Sequence, residues 1–140
     1  MAFDKAQCTA KLASLGFPTV PQLPIPDVTS ALADPIKRNA LINDINAFQT
    51  NHGCRWMVAK PARGGSSLGV GVVGSSDEAM SHLNEALERG EVPGGVAVLE
   101  AFVEEKVEFT CIVIDTERGE CVWVGGGVDE WVCVGVYVCV

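Results

Sequence analysis

The chain has 140 residues, 48% of them hydrophobic, and a formal net charge of -8, which gives room for one ordinary domain with a packed core. Its ten Lys and Arg are scattered, and a phosphate-backbone binder needs a basic face, so no nucleic-acid partner is expected. No apolar stretch reaches the ~20 residues of a membrane helix, and the start Met1-Ala-Phe-Asp-Lys5 lacks the charged and apolar regions of a secretory signal, so a cytoplasmic location is expected.

Asp4 is placed to cap a first helix over residues 5–15, with Phe3 before it as a staple and Cys8, Leu12 and Leu15 at helical spacing. Gly16 and Pro18 stop that helix. Four prolines between Phe17 and Pro26 force an extended run. Asp34-Pro35 opens a second helix, whose face carries Ile36, Ala40, Leu41, Ile45 and Phe48 and which ends before Gly53. Trp56-Met-Val-Ala-Lys60 predicts a strand, residues 61–67 a loop, and Leu68–Gly74 a Val-rich strand. Ser76 is the expected cap of a third helix closed by Gly90. Strands follow at 96–103, 108–115 and about 120–124, the last two joined by a hairpin turn at Thr116-Glu-Arg-Gly119. Phe48, Trp56 and Phe109 are expected in the core.

Gly125–Val140 differs in kind, being almost all Gly, Val, Cys, Trp and Tyr, every one with codons built largely from G and T. It reads as translated GT-rich non-coding DNA; the alternative is a genuine edge strand, which would be prone to aggregation if exposed. The six cysteines form no C-x-x-C pair and read as free thiols. His52-Gly-Cys54 has the form of one edge of a metal site, but with His82 the only other histidine a zinc site is not expected.

The chemistry concentrates in Lys60-Pro-Ala-Arg-Gly-Gly-Ser-Ser-Leu-Gly-Val-Gly-Val-Val73. A lysine at the end of a buried strand precedes a loop of glycines and hydroxyls. Small residues let backbone N–H groups approach a polyphosphate closely, and Ser66 and Ser67 add donors. Lys60 supplies a fixed positive charge; Arg63 either adds a second or is a solvated loop residue. The Walker A pattern is absent. Gly69-Val-Gly-Val-Val-Gly74 matches G-x-G-x-x-G, but its valines favour a strand over the turn of a dinucleotide fold, and the match reads as accidental. A second signal lies at Val98-Leu-Glu-Ala-Phe-Val103 and Glu108-Phe-Thr110. Backbone groups at 101–103 suit the edge of an adenine, and a carboxylate such as Glu108 suits ribose hydroxyls. Alone this signal is weak, since acids flanking a strand are usually solvated.

Asp4-Lys5, Gly16-Phe-Pro-Thr19, Lys60-Pro with Gly65-Ser-Ser-x-Gly69, Leu99-Glu100 and Glu108-Phe-Thr110 follow one another as in D-alanine–D-alanine ligases, members of the ATP-grasp superfamily, and the resemblance covers residues 3 to about 122. It implies an α+β ATP-grasp nucleotide-binding subdomain, an antiparallel sheet with packed helices, here incomplete. The expected segments are a connecting helix and linker at 1–22, the partial subdomain at 23–122 and the atypical tail at 123–140. Lys5 and Lys60 would reach the ATP phosphates and Ser66-Ser67 would close over the terminal one. Glu100, Phe102 and Val103 would sit at the adenine edge and Glu108 at the ribose. The family uses ATP with Mg²⁺ to phosphorylate a D-alanine carboxylate, and a second D-alanine amine attacks the acyl phosphate to make a peptidoglycan precursor. No catalytic or metal-ligating residue is assigned in this chain, which is expected to be a fragment, and a homodimer is left open. The alternatives are a non-catalytic ATP-grasp module and a Rossmann-like dinucleotide binder. Sequencing the spliced transcript tests the tail: a message lacking the codons of 125–140 is expected, and one that encodes them ends the non-coding explanation.

Overall fold

The computed structural model describes residues 4–65 and 67–104, and the backbone of 109–115, 120–127 and 134–138. In chain order the elements are α1 (Lys5–Ser14), β1 (Gln22–Ile25), α2 (Val28–Ala33), α3 (Pro35–His52), β2 (Met57–Pro61), β3 (Gly71–Val73), α4 (Ser76–Glu88), β4 (Ala97–Ala101), β5 (Phe109–Asp115), β6 (Glu120–Gly127) and β7 (Val134–Val138). They fall into two contact units, residues 1–103 and 104–140. That division lies inside the segment 23–122 that the sequence suggested as one subdomain.

The first unit is built on a four-stranded sheet in the order β1-β4-β2-β3, with each neighbouring pair antiparallel. The α+β class expected from the sequence is the class observed. Side chains alternate across a strand, so the register assigns each face. Ile25, Met57, Ala59, Val73, Ala97 and Leu99 point one way into the core. There they meet Leu41, Ile45 and Phe48 of α3 and Ala79, Met80, Leu83 and Ala86 of α4. Ile45, Met57 and Leu99 have no exposed surface. Burying side chains of this size is worth about 1.5–3 kcal/mol each.

Several local expectations are corrected. α2 was not anticipated: its six residues are too few to show a helical period, though Asp27 caps it by accepting from the Ser30 amide at 2.9 Å. The proline-rich run is extended as expected, but its end pairs with β4 as β1. Pro24 is tolerated because β1 is an edge strand. α4 is capped by Ser75, not Ser76, through the Glu78 amide at 3.2 Å. The strand expected at 68–74 shrinks to Gly71–Val73. Ile36 is 81% exposed, because it sits in the first turn of α3 beyond the core. Trp56, expected in the core, is 36% exposed, and its ring covers Gly74 while the Arg55 guanidinium lies over it at 5.4 Å. α1 forms as expected, yet none of its residues is apolar and buried.

In the second unit β5 pairs with β6 from Phe109↔Gly127 to Asp115↔Cys121, and β6 pairs with β7, both antiparallel. β6 runs past the expected end at 124, and residues 134–138 of the tail form an edge strand. The turn at 116–119 and the side chain of Phe109 lie outside the described residues. The core assignment is tested by urea denaturation. Leu83→Ala should lower stability by about 2–5 kcal/mol, whereas Leu12→Ala, on the exposed face of α1, should change it by less than about 0.5 kcal/mol.

Candidate functional site

The sheet face opposite the core carries the polar residues. Gln22 lies opposite Glu100 across β1 and β4. Glu100 lies opposite Val58, and Lys60 opposite Val98, across β4 and β2. Lys60 and Glu100 are therefore diagonal neighbours on one face, within reach of long side chains. Their ammonium and carboxylate form an ion pair, with 19% and 16% of the side chains exposed. The other Glu100 oxygen accepts from the Gln22 amide, which also donates to the Thr9 hydroxyl of α1 at 3.0 Å. A polar chain thus runs from α1 through Gln22 and Glu100 to Lys60.

α1 is fixed to this face by polar contacts and not by apolar packing. Lys5 Nζ donates to the carbonyls of Pro61 at 3.0 Å and Gly64 at 2.9 Å. Its backbone amide donates to Ala62 at 2.8 Å. Asp4 caps the helix through the Gln7 amide at 3.1 Å and accepts from Arg63 Nε at 3.2 Å. The Gln7 bond and the Arg63 guanidinium hold the Asp4 carboxyl below its ordinary value, against burial, which raises it. Burial first, and then the charge of Lys60, push the Lys5 ammonium below the ordinary lysine value. Two like charges are therefore held near one another at the root of the glycine-rich loop, an arrangement that a polyanion relieves.

Lys5, Lys60 and Glu100, predicted from the sequence, come together on this face. Lys60 and Glu100 were expected in separate roles, at phosphate and adenine; here they are partners. Lys5 spends two of its three donors on loop carbonyls. Ser67 is exposed in the loop with φ +57, a left-handed conformation costing a non-glycine residue about 1–2 kcal/mol. The amides of Ala101 and Phe102 already donate, to Pro21 at 3.1 Å and Trp56 at 3.0 Å. A base edge at 101–103 is thus left the amide of Val103, which has no partner among the described residues. Ser66 and Glu108 lie outside the described residues. Arg63 is engaged with Asp4 and is not a free loop cation. Sequence reasoning missed Gln22 and Thr9. The alternation of outward Gln22 and Pro24 with inward Leu23 and Ile25 was the available signal for Gln22.

The glycines at 69, 71 and 74 do not form a dinucleotide turn. β3 runs antiparallel to β2, whereas that turn belongs to a parallel βαβ unit. Among the described residues, no three His, Cys, Asp or Glu are grouped to hold a metal ion. The described residues do not assemble a Mg²⁺ site, and no step is assigned to one. Cys8 and Cys54 are free thiols. No helix among the described residues is long and apolar enough to cross a membrane.

A family model described as the D-ala D-ala ligase C-terminus matches residues 26–130. The chain belongs to that family. Its fold is similar to that of the D-alanine–D-alanine ligase from Coxiella burnetii, with a TM-score of 0.65 and 16% identity over 91% of this chain and 33% of that one. It is also similar to D-alanyl-alanine synthetase A from Vibrio cholerae, with a TM-score of 0.62 and 18% identity over 94% of this chain and 39% of that one. A D-cycloserine synthetase matches with a TM-score of 0.58 and 24% identity, over 81% and 35%. The chain spans between a third and two fifths of the length of these proteins. No curated protein matches it in sequence. The likeness to solved structures shows the fold, and the stretch matched by the family model runs from α2 to β6.

The docking of α1 has a pH signature. A carboxyl held below its ordinary value in the folded state adds stability that is present above that value and is lost as pH falls through the lowered one. The stability advantage of the natural chain over Asp4→Asn should therefore be full at neutral pH and shrink below about pH 3.9. Urea midpoints of both proteins across that window measure it, and a constant difference would contradict the assignment.

Proposed function

We propose that this chain is the ATP-binding portion of an ATP-dependent carboxylate–amine ligase, with D-alanine as both carboxylate and amine donor. In that reaction the γ-phosphate passes to a carboxylate oxygen and ADP leaves. The amine of the second substrate then attacks the acyl carbon, forming the amide and expelling phosphate. The observation that supports this reading is the Lys60–Glu100 pair on the open sheet face of a ligase-family fold, with Lys5 bonded to the carbonyls of Pro61 and Gly64 just beyond it.

Each residue has a part in the proposal. Lys60 exchanges Glu100 for the phosphate oxygens, and Lys5 holds the loop root and adds positive charge from behind it. Ser66 and Ser67 offer hydroxyls to the terminal phosphate as the loop closes. Glu100, released by Lys60, accepts from the adenine side, while Val103 offers its amide and Phe102 its side chain to the base. Glu108 receives the ribose hydroxyls. The cytoplasm, where ATP and D-alanine are available, is the proposed location. Electrostatic positioning of this kind is how phosphoryl-transfer enzymes act, since the transition state needs charge neutralisation more than covalent help.

The test is titration with ATP. Lys60→Ala removes one charge-assisted contact worth about 1.5–3 kcal/mol, so affinity should fall roughly tenfold to a hundredfold. An unchanged affinity removes Lys60 from the phosphate site. ATP should also raise the thermal midpoint while NADH leaves it where it was. The 140-residue chain alone should form no detectable D-alanyl-D-alanine; product formation would show that it carries the full catalytic set.

A further inference from the structure

The glycine-rich loop leaves the sheet at Pro61 and returns at Gly69, and its two ends touch. A Cβ placed on Gly69 would lie 2.9 Å from Pro61 Cγ and 3.2 Å from Glu91 Cβ, and the residue has φ +67. Both facts demand glycine there. The outer side of the loop's return is covered by one residue of α4. His82 Nε2 lies 3.0 Å from the Gly69 carbonyl. A carbonyl oxygen only accepts, so Nε2 carries the proton and donates. The same ring lies against the next strand residue but one: a Cβ on Gly71 would come within 2.4 Å of His82 Cε1 and 2.7 Å of Nδ1. No side chain fits at 71 while the imidazole is in place. The helix that carries His82 is itself fixed, because Ala79, Met80, Leu83 and Ala86 are buried in the core.

The loop is therefore tied at both ends by different devices. Its first half is held to α1 through Lys5 and through Arg63 with Asp4. Its return is held to α4 through His82. A loop pinned at both ends loses less freedom when a ligand orders it.

We propose that His82 is a positioning residue. Through the Gly69 carbonyl and the bare face of Gly71 it fixes the return of the loop, and so sets where the loop lies relative to Lys60. The clamp rests on geometry alone; its service to a nucleotide rests on the function proposed above.

Limited trypsin cleavage of the full chain at the Arg63–Gly64 bond, followed by mass spectrometry, tests both parts. His82→Ala should speed cleavage there about threefold to tenfold, as expected when one hydrogen bond is lost from a local opening equilibrium. Cleavage after Lys37, Arg38 and Arg55 should not change. Gly71→Ala should give the same selective increase, because its Cβ displaces the ring, and adding His82→Ala to it should add nothing further. Should His82→Ala fail to fold, His82→Gln, which keeps an amide donor but loses the ring against Gly71, is read against the same outcomes. Equal cleavage at Arg63 in variant and natural chain overturns the clamp, as does a uniform increase at every site. ATP with Mg²⁺ should protect the bond in the natural chain, and His82→Ala should need about threefold to tenfold more ATP for equal protection. Selective cleavage in His82→Ala with no protection by ATP in either protein would uphold the clamp and refute the nucleotide reading.

Discussion

Lys60 faces Val98 and Glu100 faces Val58 because β2 and β4 run antiparallel in that register. A slip of one residue would send Lys60 and Glu100 into the layer of Met57, Ala59 and Leu99 and expose those apolar groups instead. Two unsolvated charges among α3 and α4 would cost several kcal/mol, so the same burial that builds the core pins the charges to the open face. Everything proposed for the site rests on that pairing. It sets which face bears the ammonium, where the loop begins and which strand end approaches residues 101–103.

The open face is organised by polar contacts. α1 contributes no apolar side chain to the core and is joined to the sheet and the loop after it by Asp4 with Arg63, by Lys5 and by Thr9. Such contacts are directional and individually modest, about 0.5–1.5 kcal/mol each for neutral groups, and they open locally more readily than the core does. A device that grips and releases a polyphosphate needs this kind of attachment. The Lys60–Glu100 pair has a matching logic: it keeps a half-buried ammonium compensated, and it is an interaction that a triphosphate can replace with another of the same kind.

The three glycines at 69, 71 and 74 show how one string serves unrelated constraints. Gly69 turns the chain beside Pro61, Gly71 lies under the His82 ring and Gly74 under the Trp56 ring. Their spacing coincides with a dinucleotide fingerprint, but the requirement at each is steric and local. The glycine-rich loop differs from a Rossmann turn in that it joins two antiparallel strands and not a strand to a helix.

Local signals in the chain are enough for the helices at 5–14 and 35–52, since Asp4, Asp34 with Pro35, and Gly53 act through neighbouring backbone groups. The β-loop-β unit around Lys60 and the family could be read in the same way, because those residues are close in sequence as well as in space. The sequence did not reveal α2, which is too short to show a period, or that Gln22 ends in a strand beside Glu100, 78 positions away. Nor could it show that Lys60 and Glu100 are partners, that α1 buries no apolar face, or that His82 lies on Gly71. Those facts depend on strand register and on the packing of α4 against β3. Both are chosen by the whole core at once, when side chains far apart in the chain compete for the same volume, and no local window of sequence records the result.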